Sequence, residues 1–373
     1  MRFIADLHIH SRFSRATSAD LDPERLSLWA QKKGIAVIGT GDFTHPAWIR
    51  ELQEKLVEAE EGLYMLKPDL KAAVERDLPP SCINPSRFLL SCEISCIYKR
   101  GGRTRKVHHL ILMPDFDAVI RFNSTLDRIG NIKSDGRPIL GLDSRDLLET
   151  ALEASDRMFF IPAHIWTPWF SLFGSKSGFD KIEECFGDLT GHIHALETGL
   201  SSDPPMNRLL SAIDRYILVS NSDAHSPSKL GREANIFDTG LDYRSIVNAM
   251  MDKGGFEGTI ELFPEEGKYH MDGHRKCGVM FTPSETMEHH GICPLCGKAI
   301  TIGVLNRVEQ LADRDSPEIS KPFYSLIPLN EVLSEIYGCG PASKKVVSVY
   351  EELISLFGPE LDILMKADLK DMR

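Results

Sequence analysis

Two stretches of this chain carry residues whose types and spacing suit metal chemistry. Near the start lies Asp6-Leu7-His8-Ile9-His10, directly after the apolar run Phe3-Ile4-Ala5. In an extended chain alternate side chains share a face, so His8 and His10 point the same way, and two such imidazoles suit a divalent transition metal. Asp6 shares that face and could be a further ligand or a hydrogen-bond acceptor behind one. An isolated pair of this kind also fits two half-buried polar residues on an edge strand; the later runs, several ending in ligand-type residues, favour the metal. Far downstream, His274-Arg-Lys-Cys277 and Cys293-Pro-Leu-Cys296-Gly297 set an HxxC and a CxxC across a short loop. That is the spacing of a closed, four-ligand structural zinc site, with the Cys-Pro-x-Cys-Gly knuckle of a zinc ribbon. His270, His289 and His290 compete with His274 for the fourth position.

The elements that must position these residues follow from periodicity. Asp22-Pro23 reads as N-cap and first helical residue, Leu26, Trp29 and Ala30 as a buried stripe, and Gly34 as the stop. A short strand over 35–38 runs into Gly39-Thr-Gly-Asp42-Phe-Thr-His45, and a helix with Ile49, Leu52 and Leu56 on one face ends near Gly62. Strands follow over 88–97, with Glu93 in the middle, and 108–113. A helix covers 144–154, and further strands cover 159–164, 194–197 and 216–225. Strand, ligand-bearing loop and helix repeat about seven times, which predicts parallel strands with helical crossovers in a barrel-like α/β fold. Such barrels carry their active sites at the C-terminal strand ends, where His8, His10, His45, His164, Asp223 and His225 fall.

Three segments are expected: a barrel over 1–245, a zinc-binding domain over 246–305 and a helical segment over 306–373. In the last, Leu329, Val332, Leu333 and Ile336 form one stripe and Val346, Tyr350, Leu353, Ile354 and Phe357 another. Between them Gly338-Cys-Gly340 and Lys344-Lys345 resemble a helix-hairpin-helix, whose turn N–H groups and second helix N-terminus grip a DNA phosphate. An ordinary helical hairpin has the same glycine turn. The run Lys99 to Lys106 holds five cations in eight residues, among them Arg100, Arg103, Arg105 and Lys106. It reads as a hairpin tip between two strands, close enough to Glu93 to meet a phosphate backbone.

Composition bounds these readings. The 373 residues are 42% hydrophobic and 26% charged, an ordinary globular balance. No signal peptide and no apolar run near about 18 residues are visible, so a cytoplasmic protein without a membrane span is expected. Of the eight cysteines, Cys277, Cys293 and Cys296 cluster and the others lie in or near apolar runs, which fits a metal site plus reduced thiols rather than disulfides. A net charge of −11 argues against loose polyanion binding by the whole surface, and local basic patches remain compatible with it.

Six motifs, Asp-Leu-His-Ile-His, Gly-Asp-Phe-Thr-His, Cys-Glu-Ile-Ser, His-His-Leu-Ile-Leu, Pro-Ala-His and Ser-Asp-Ala-His, occur in that order over about residues 1–245. Together they resemble the PHP (polymerase and histidinol phosphatase) superfamily. The resemblance implies a distorted (β/α)7 barrel that holds two to three divalent metals (Zn, Mg or Mn) and cleaves phosphoesters. Carried over by position, His8, His10, Glu93 and Asp223 would be the catalytic set around the first metal. Glu93 would bridge to a second metal held by His109 and His164, with His109 preferred to His108 because it directly precedes the apolar run. His45 and His225 would hold a third. Here the chain departs from the family, which usually has Asp-His adjacent: Asp42 is followed by Phe43, with His45 two residues later. Where the family often has an acid or His after the second His, this chain has Arg15-Ala16, leaving Asp20 as the nearest substitute. Neighbouring cations lower the pKa of water and clamp phosphate oxygens, and a site rich in neutral His stays positive enough for a phosphodiester.

The order of barrel, zinc knuckle and helical hairpin, with Trp-Thr-Pro-Trp-Phe-Ser-Leu-Phe-Gly-Ser following closely on His164, resembles the endonuclease Q branch along the whole chain. That resemblance implies nicking of DNA 5′ of a deaminated base (uracil, hypoxanthine or xanthine) or an abasic site, leaving a 3′-hydroxyl and a 5′-phosphate. An enzyme that inspects one base must extrude it. Trp166, Trp169, Phe170, Ser171 and Phe173, beside His164, are the candidate pocket walls, with barrel core as the other reading of that loop. Two further functions fit parts of the pattern. A phosphatase acting on a small phosphomonoester needs neither knuckle nor hairpin, and a non-catalytic DNA-binding protein needs no near-complete ligand set. No protein partner is legible.

Overall fold

Seven largely apolar runs become seven strands: Arg2–Asp6, Val37–Gly39, Arg87–Arg100, Arg103–Met113, Phe159–Pro162, Ala195–Glu197 and Ile217–Val219. The computed structural model describes residues 1–367, so the last six residues of the expected helical segment lie outside the described residues. Alternate side chains from every one of the seven strands meet in one core, among them Phe3 and Ala5, Val37, Leu89, Leu110 and Leu112. Phe159 and Ile161, Ala195, Ile217 and Val219 complete this lumen. The helix Tyr243–Met250 closes its floor, with the Tyr243 hydroxyl 3.1 Å from the Leu112 carbonyl and 2.8 Å from that of Arg157. Beyond the strand ends, Ile165 N–H donates to Glu197 O (3.0 Å) and His10 N–H to Ala224 O (3.1 Å), which carries the ring round to its start. The fold is the expected α/β barrel.

One strand is reversed. Arg103–Met113 runs antiparallel to both neighbours, Arg87–Arg100 and Phe159–Pro162, as the hairpin expected at the basic run requires, whereas the overall repeat suggested parallel strands. The cause is local: only Gly101-Gly102 joins it to the strand before, both at positive φ, and no crossover fits in two residues. The basic run accordingly sits on a hairpin tip.

Helix Pro23–Lys33 starts at Asp22, whose carboxylate accepts the Arg25 N–H (2.8 Å), and stops at left-handed Gly34, as its sequence predicts. The next helix is shorter than expected. It ends at Lys55, and Leu56–Glu60 pairs with Leu63–Leu66 in a hairpin turning at Gly62, where φ is 68° and a Cβ would come within 2.6 Å of Tyr243 Cβ.

The expected boundary at residue 245 does not hold. Helix Tyr243–Met250 runs across it, and Phe256–Glu261 and Phe323–Ser325 extend the barrel's own sheet outward from Ala234–Asp238, which pairs with Arg2–Asp6. The knuckle is thus an excursion out of that sheet. After it, helices Lys344–Phe357 and Glu360–Lys366 pack back on Pro23–Lys33, and Leu329–Tyr337 packs on Lys344–Phe357. The contact is anchored by a buried ion pair, Lys33 Nζ to Glu360 Oε2 at 2.6 Å, with Glu360 also accepting the Tyr350 hydroxyl (2.8 Å) and Leu329 N–H (3.1 Å). Val346, Tyr350 and Ile354 face inward, whereas Ile336, expected in the first stripe, is 67% exposed. No helix among the described residues is long and apolar enough to cross a membrane, and all eight cysteines are free.

Candidate active site

Strand parity decides which polar residues reach the mouth of the lumen. Glu93 continues the face of Leu89, His108 that of Leu110 and Leu112, and Glu197 that of Ala195. Two donor groups result. His8 Nε2 lies 3.6 Å from Glu93 Oε2, and His10 Nε2 lies 3.3 Å from the same oxygen and 3.0 Å from Asp223 Oδ1. One ligand atom from each of these four residues lies within 4.8 Å of the others. The other Glu93 oxygen, Oε1, is 2.5 Å from His108 Nδ1 and 3.1 Å from His164 Nε2. Glu93 therefore stands between the groups with one oxygen toward each.

Three expected ligands, His109, His45 and His225, are not in these groups. His109 has the opposite parity, facing the outer core with Ile111 and Met113. Its Nε2 is 2.8 Å from Ser144 Oγ, its ring packs on Phe160, and burial pushes its pKa down to about 3. His108 takes the place assigned to it. His45 stacks on Phe13 (4.4 Å) with Nε2 3.1 Å from the Lys133 carbonyl. Phe43, the residue that interrupts the motif, fills the fully buried position next to Asp42. His225 stands against the His10 ring (4.7 Å), and no third donor group is assembled with His45 and His225 among the described residues. Asp6 is not a ligand either: it accepts the N–H groups of Ser222 (3.0 Å) and Gly231 (2.9 Å).

Behind the donors stand carboxylates that the sequence reading passed over. Both Glu197 oxygens lie 3.0 Å from His8 Nδ1, and Glu197 is itself held by Asn221 Nδ2 (2.9 Å) and His164 N–H (2.8 Å). Asp42 Oδ1 is 3.1 Å from His10 Nδ1, while Oδ2 accepts the N–H (2.7 Å) and hydroxyl (2.7 Å) of Ser11 and the hydroxyl of Ser14 (2.8 Å). A carboxylate on Nδ1 fixes the ring and leaves Nε2 for an ion. Asp42, His164 and Asp223 all sit at left-handed φ (48°, 30° and 46°), a cost that unbranched polar residues bear at functional sites. Gly199, also left-handed, lies against His164 where a Cβ would clash.

Burial alone would raise the Glu93 pKa, but His108, Arg137 and His8 hold it well below the carboxylate range. Asp223 is lowered likewise, its burial outweighed by the His10 hydrogen bond and the charges of His8 and His10. Burial pushes His108 down to about 4, in the neutral form a ligand needs. These are buried anions beside imidazoles, and His8 Nε2, fully buried, has no hydrogen-bond partner. The donor set fits divalent cations.

Of the donors, His108, His164 and Asp223 line a cavity of about 550 Å³, with His8, His10 and Glu93 buried behind them. Trp169 and Phe170 stand on one wall and Lys268 and Tyr269, from beyond the barrel, on another; Trp169 meets Tyr269 edge-on at 6.4 Å. The remaining aromatic candidates lie elsewhere. Trp166 is 1% exposed with its indole N–H on Asn207 Oδ1 (2.7 Å), Phe173 packs against it, and buried Ser171 donates to the His164 carbonyl (2.6 Å). Those three are core that props up His164. Lys268 and Tyr269 carry no motif and were not foreseeable from spacing.

His274, Cys277, Cys293 and Cys296 bring one ligand atom each within 4.8 Å of one another. Of the competing histidines, His270 lies near the Ser201 carbonyl (3.1 Å), His289 stacks on Phe281, and His290 is exposed and outside the group. In the basic run, Arg100 binds the carbonyls of Glu184 and Cys185, and Arg105 that of Gly178, so both face the protein. Arg103 is exposed, and Lys106 lies over Phe170 (5.2 Å) at the cavity rim. In the helical hairpin Gly338 is left-handed, Gly340 is exposed, and Lys344 and Lys345 are exposed at the start of the second helix.

Residues 328–373 match the family described as the MJ0043 C-terminal domain. The Methanocaldococcus jannaschii protein MJ0043 is 35% identical over 227 residues, 56% of this chain and 27% of that protein's length. The Bacillus subtilis protein YqxK is 31% identical over the whole chain and 90% of its own length. Among solved structures, the lesion-specific endonuclease PfuEndoQ of Pyrococcus furiosus superposes with a TM-score of 0.84 at 31% identity, covering all of this chain and 87% of that one. Endonuclease Q in complex with a 27-mer duplex carrying an abasic lesion at its active site gives 0.86 at 31%, covering all of this chain and 88% of that one. With the barrel, the knuckle and the hairpin all inside these full-length matches, the chain belongs to the endonuclease Q family.

Proposed function

We propose that this chain is a cytoplasmic, metal-dependent DNA endonuclease that hydrolyses the phosphodiester 5′ of a deaminated base or an abasic site. The observation that carries the reading is Glu93, which offers one oxygen to each of two donor groups whose His108, His164 and Asp223 open onto a cavity sized for a small ligand. The abasic duplex held by a solved relative supports DNA as the substrate.

His8, His10, Glu93 and Asp223 would hold one divalent ion, and Glu93, His108 and His164 another; such ions supply a lowered water pKa and positive charge on phosphate oxygens. The protein's own part is preorganisation. Glu197 and Asp42 keep His8 and His10 oriented, and the left-handed turns hold His164 and Asp223 against them. Trp169, Phe170 and Tyr269 offer faces to an extruded nucleotide. His274, Cys277, Cys293 and Cys296 would bind one structural zinc. Arg103, Lys106, the Gly338 to Gly340 turn, Lys344 and Lys345 would meet the DNA backbone.

The test is a nicking assay with purified protein and Asp223→Ala on labelled duplexes, undamaged or carrying one uracil, hypoxanthine or abasic site, with Mg²⁺, Mn²⁺ or Zn²⁺. A cut immediately 5′ of the lesion, lost in the variant, is expected. Hydrolysis of a small phosphomonoester with no cut on any duplex would overturn the proposal.

A further inference from the structure

We propose that the Arg137 guanidinium supplies from the protein the positive charge that a third cation would bring, and contacts a non-bridging oxygen of the phosphodiester being cut. The inference rests on the endonuclease reading above and names a residue of the same site.

Three observations meet at Arg137. The expected donors for a third ion do not assemble among the described residues: both Asp42 oxygens are engaged, His45 Nε2 lies on the Lys133 carbonyl, and His225 Nδ1 lies 2.8 Å from the Asp223 carbonyl. Arg137 Nη1 donates at 3.0 Å to Glu93 Oε2, the oxygen that faces His8 and His10 Nε2. A carboxylate oxygen has two lone pairs, so an ion and a guanidinium can share it. The rest of the guanidinium has no hydrogen-bond partner among the described residues, and the side chain is 23% exposed in the cavity wall beside Asp223 and His164.

The position is built rather than incidental. Arg137 N–H and Arg15 N–H both donate to Asp135 Oδ1 (3.2 Å each), Gly136 N–H donates to Phe13 O (2.9 Å), and Pro138 O accepts Ser95 N–H (3.0 Å). These bonds pin the short loop between the first mouth segment and the strand that carries Glu93. The other arginine in the cavity, Arg232, spends its Nε (2.8 Å) and Nη2 (3.4 Å) on the carbonyls of Ser222 and Asp223 and holds that turn instead. A guanidinium fixed on one edge and open on the other presents the planar fork that matches phosphate oxygens. It stays protonated throughout, so it moves no proton; it balances the charge that gathers on phosphorus oxygens during in-line displacement.

Arg137→Gln and Arg137→Ala, as metal-loaded proteins, are compared with wild type in three measurements: bound metal per chain, single-turnover cutting of an abasic duplex, and binding of an abasic duplex with a non-hydrolysable linkage at the cut. Expected are wild-type metal content, a rate lower by roughly 10²- to 10³-fold, and weaker binding by both variants. Added guanidinium ion should restore part of the rate to Arg137→Ala. An unchanged rate, or a rate loss matched by loss of barrel metal, would overturn the inference, the latter making Arg137 a prop for Glu93. Wild-type protein that cuts no duplex would overturn both readings, which separates the two failures.

Discussion

The mouth of the barrel and the Cys/His knuckle gather their donors in opposite ways. The barrel draws on residues from 8 to 223, and His8, His10 and Glu93 are wholly buried, with the histidines backed by carboxylates. The knuckle draws on residues 274 to 296, with His274 and Cys277 half-buried, Cys296 exposed, and few buried neighbours. Exposed Met280, Met287 and Leu295 around it underline how little core it owns. In the barrel the fold itself holds the donors, so an ion would arrive at a finished site. In the knuckle an ion would have to hold the fold.

Glu93→Gln is the sharpest cut through that contrast. It should empty both barrel groups, lower cutting by about 10³-fold and leave one zinc per chain; elemental analysis that finds the knuckle zinc lost as well would break the distinction. Chelation comes next. Stripped protein should lose amide protection over 270–303 in hydrogen exchange while the seven strands keep theirs, and uniform loss would show one cooperative unit instead.

Glu197→Gln tests the finished-site half alone, with barrel metal affinity expected to fall about 10- to 100-fold while the fold persists. Unchanged affinity in a metal titration would leave Glu197 a packing residue. The smallest effect concerns Glu261 and Glu233, buried behind the mouth. Burial pushes Glu261 up to about 8, and burial plus the charge of Glu261 holds Glu233 well above the carboxylate range. A folded-state pKa above the unfolded value of 4.5 means the folded chain keeps a proton that the unfolded chain releases. The stability is therefore complete below about 4.5 and is lost as pH rises toward 8, by at most about 1.4 kcal/mol per pH unit. Glu261→Gln should flatten the fall in melting temperature between pH 5 and 8; parallel curves for variant and wild type would refute it.

Most of the barrel was legible because period-two runs ending in ligand residues leave few alternatives. The same rule, pressed further, would have corrected the second donor group. His108, not His109, shares parity with the lumen residues Leu110 and Leu112, and Glu197 shares parity with Ala195. Preferring the His next to the apolar run traded a geometric criterion for adjacency. The reversed strand was written in Gly101-Gly102, too short for any crossover. Two features lay beyond reach. Trp166 and Trp169 are three residues apart in a loop without a period, so nothing local says which is core. Lys268 and Tyr269 enter the cavity only because Phe256–Glu261 joins the barrel sheet, a long-range pairing with no sequence signature.

The Lys33–Glu360 pair has a reach beyond its own helices. Two fully desolvated charges tolerate little sliding, because any separation leaves one of them buried and uncompensated. The hairpin and the barrel mouth are thereby set like the jaws of a caliper locked at one gauge. If both touch the same duplex, the enzyme carries a built-in unit of length: wherever it finds damage, it reaches the same number of nucleotides along the helix from the bond it opens.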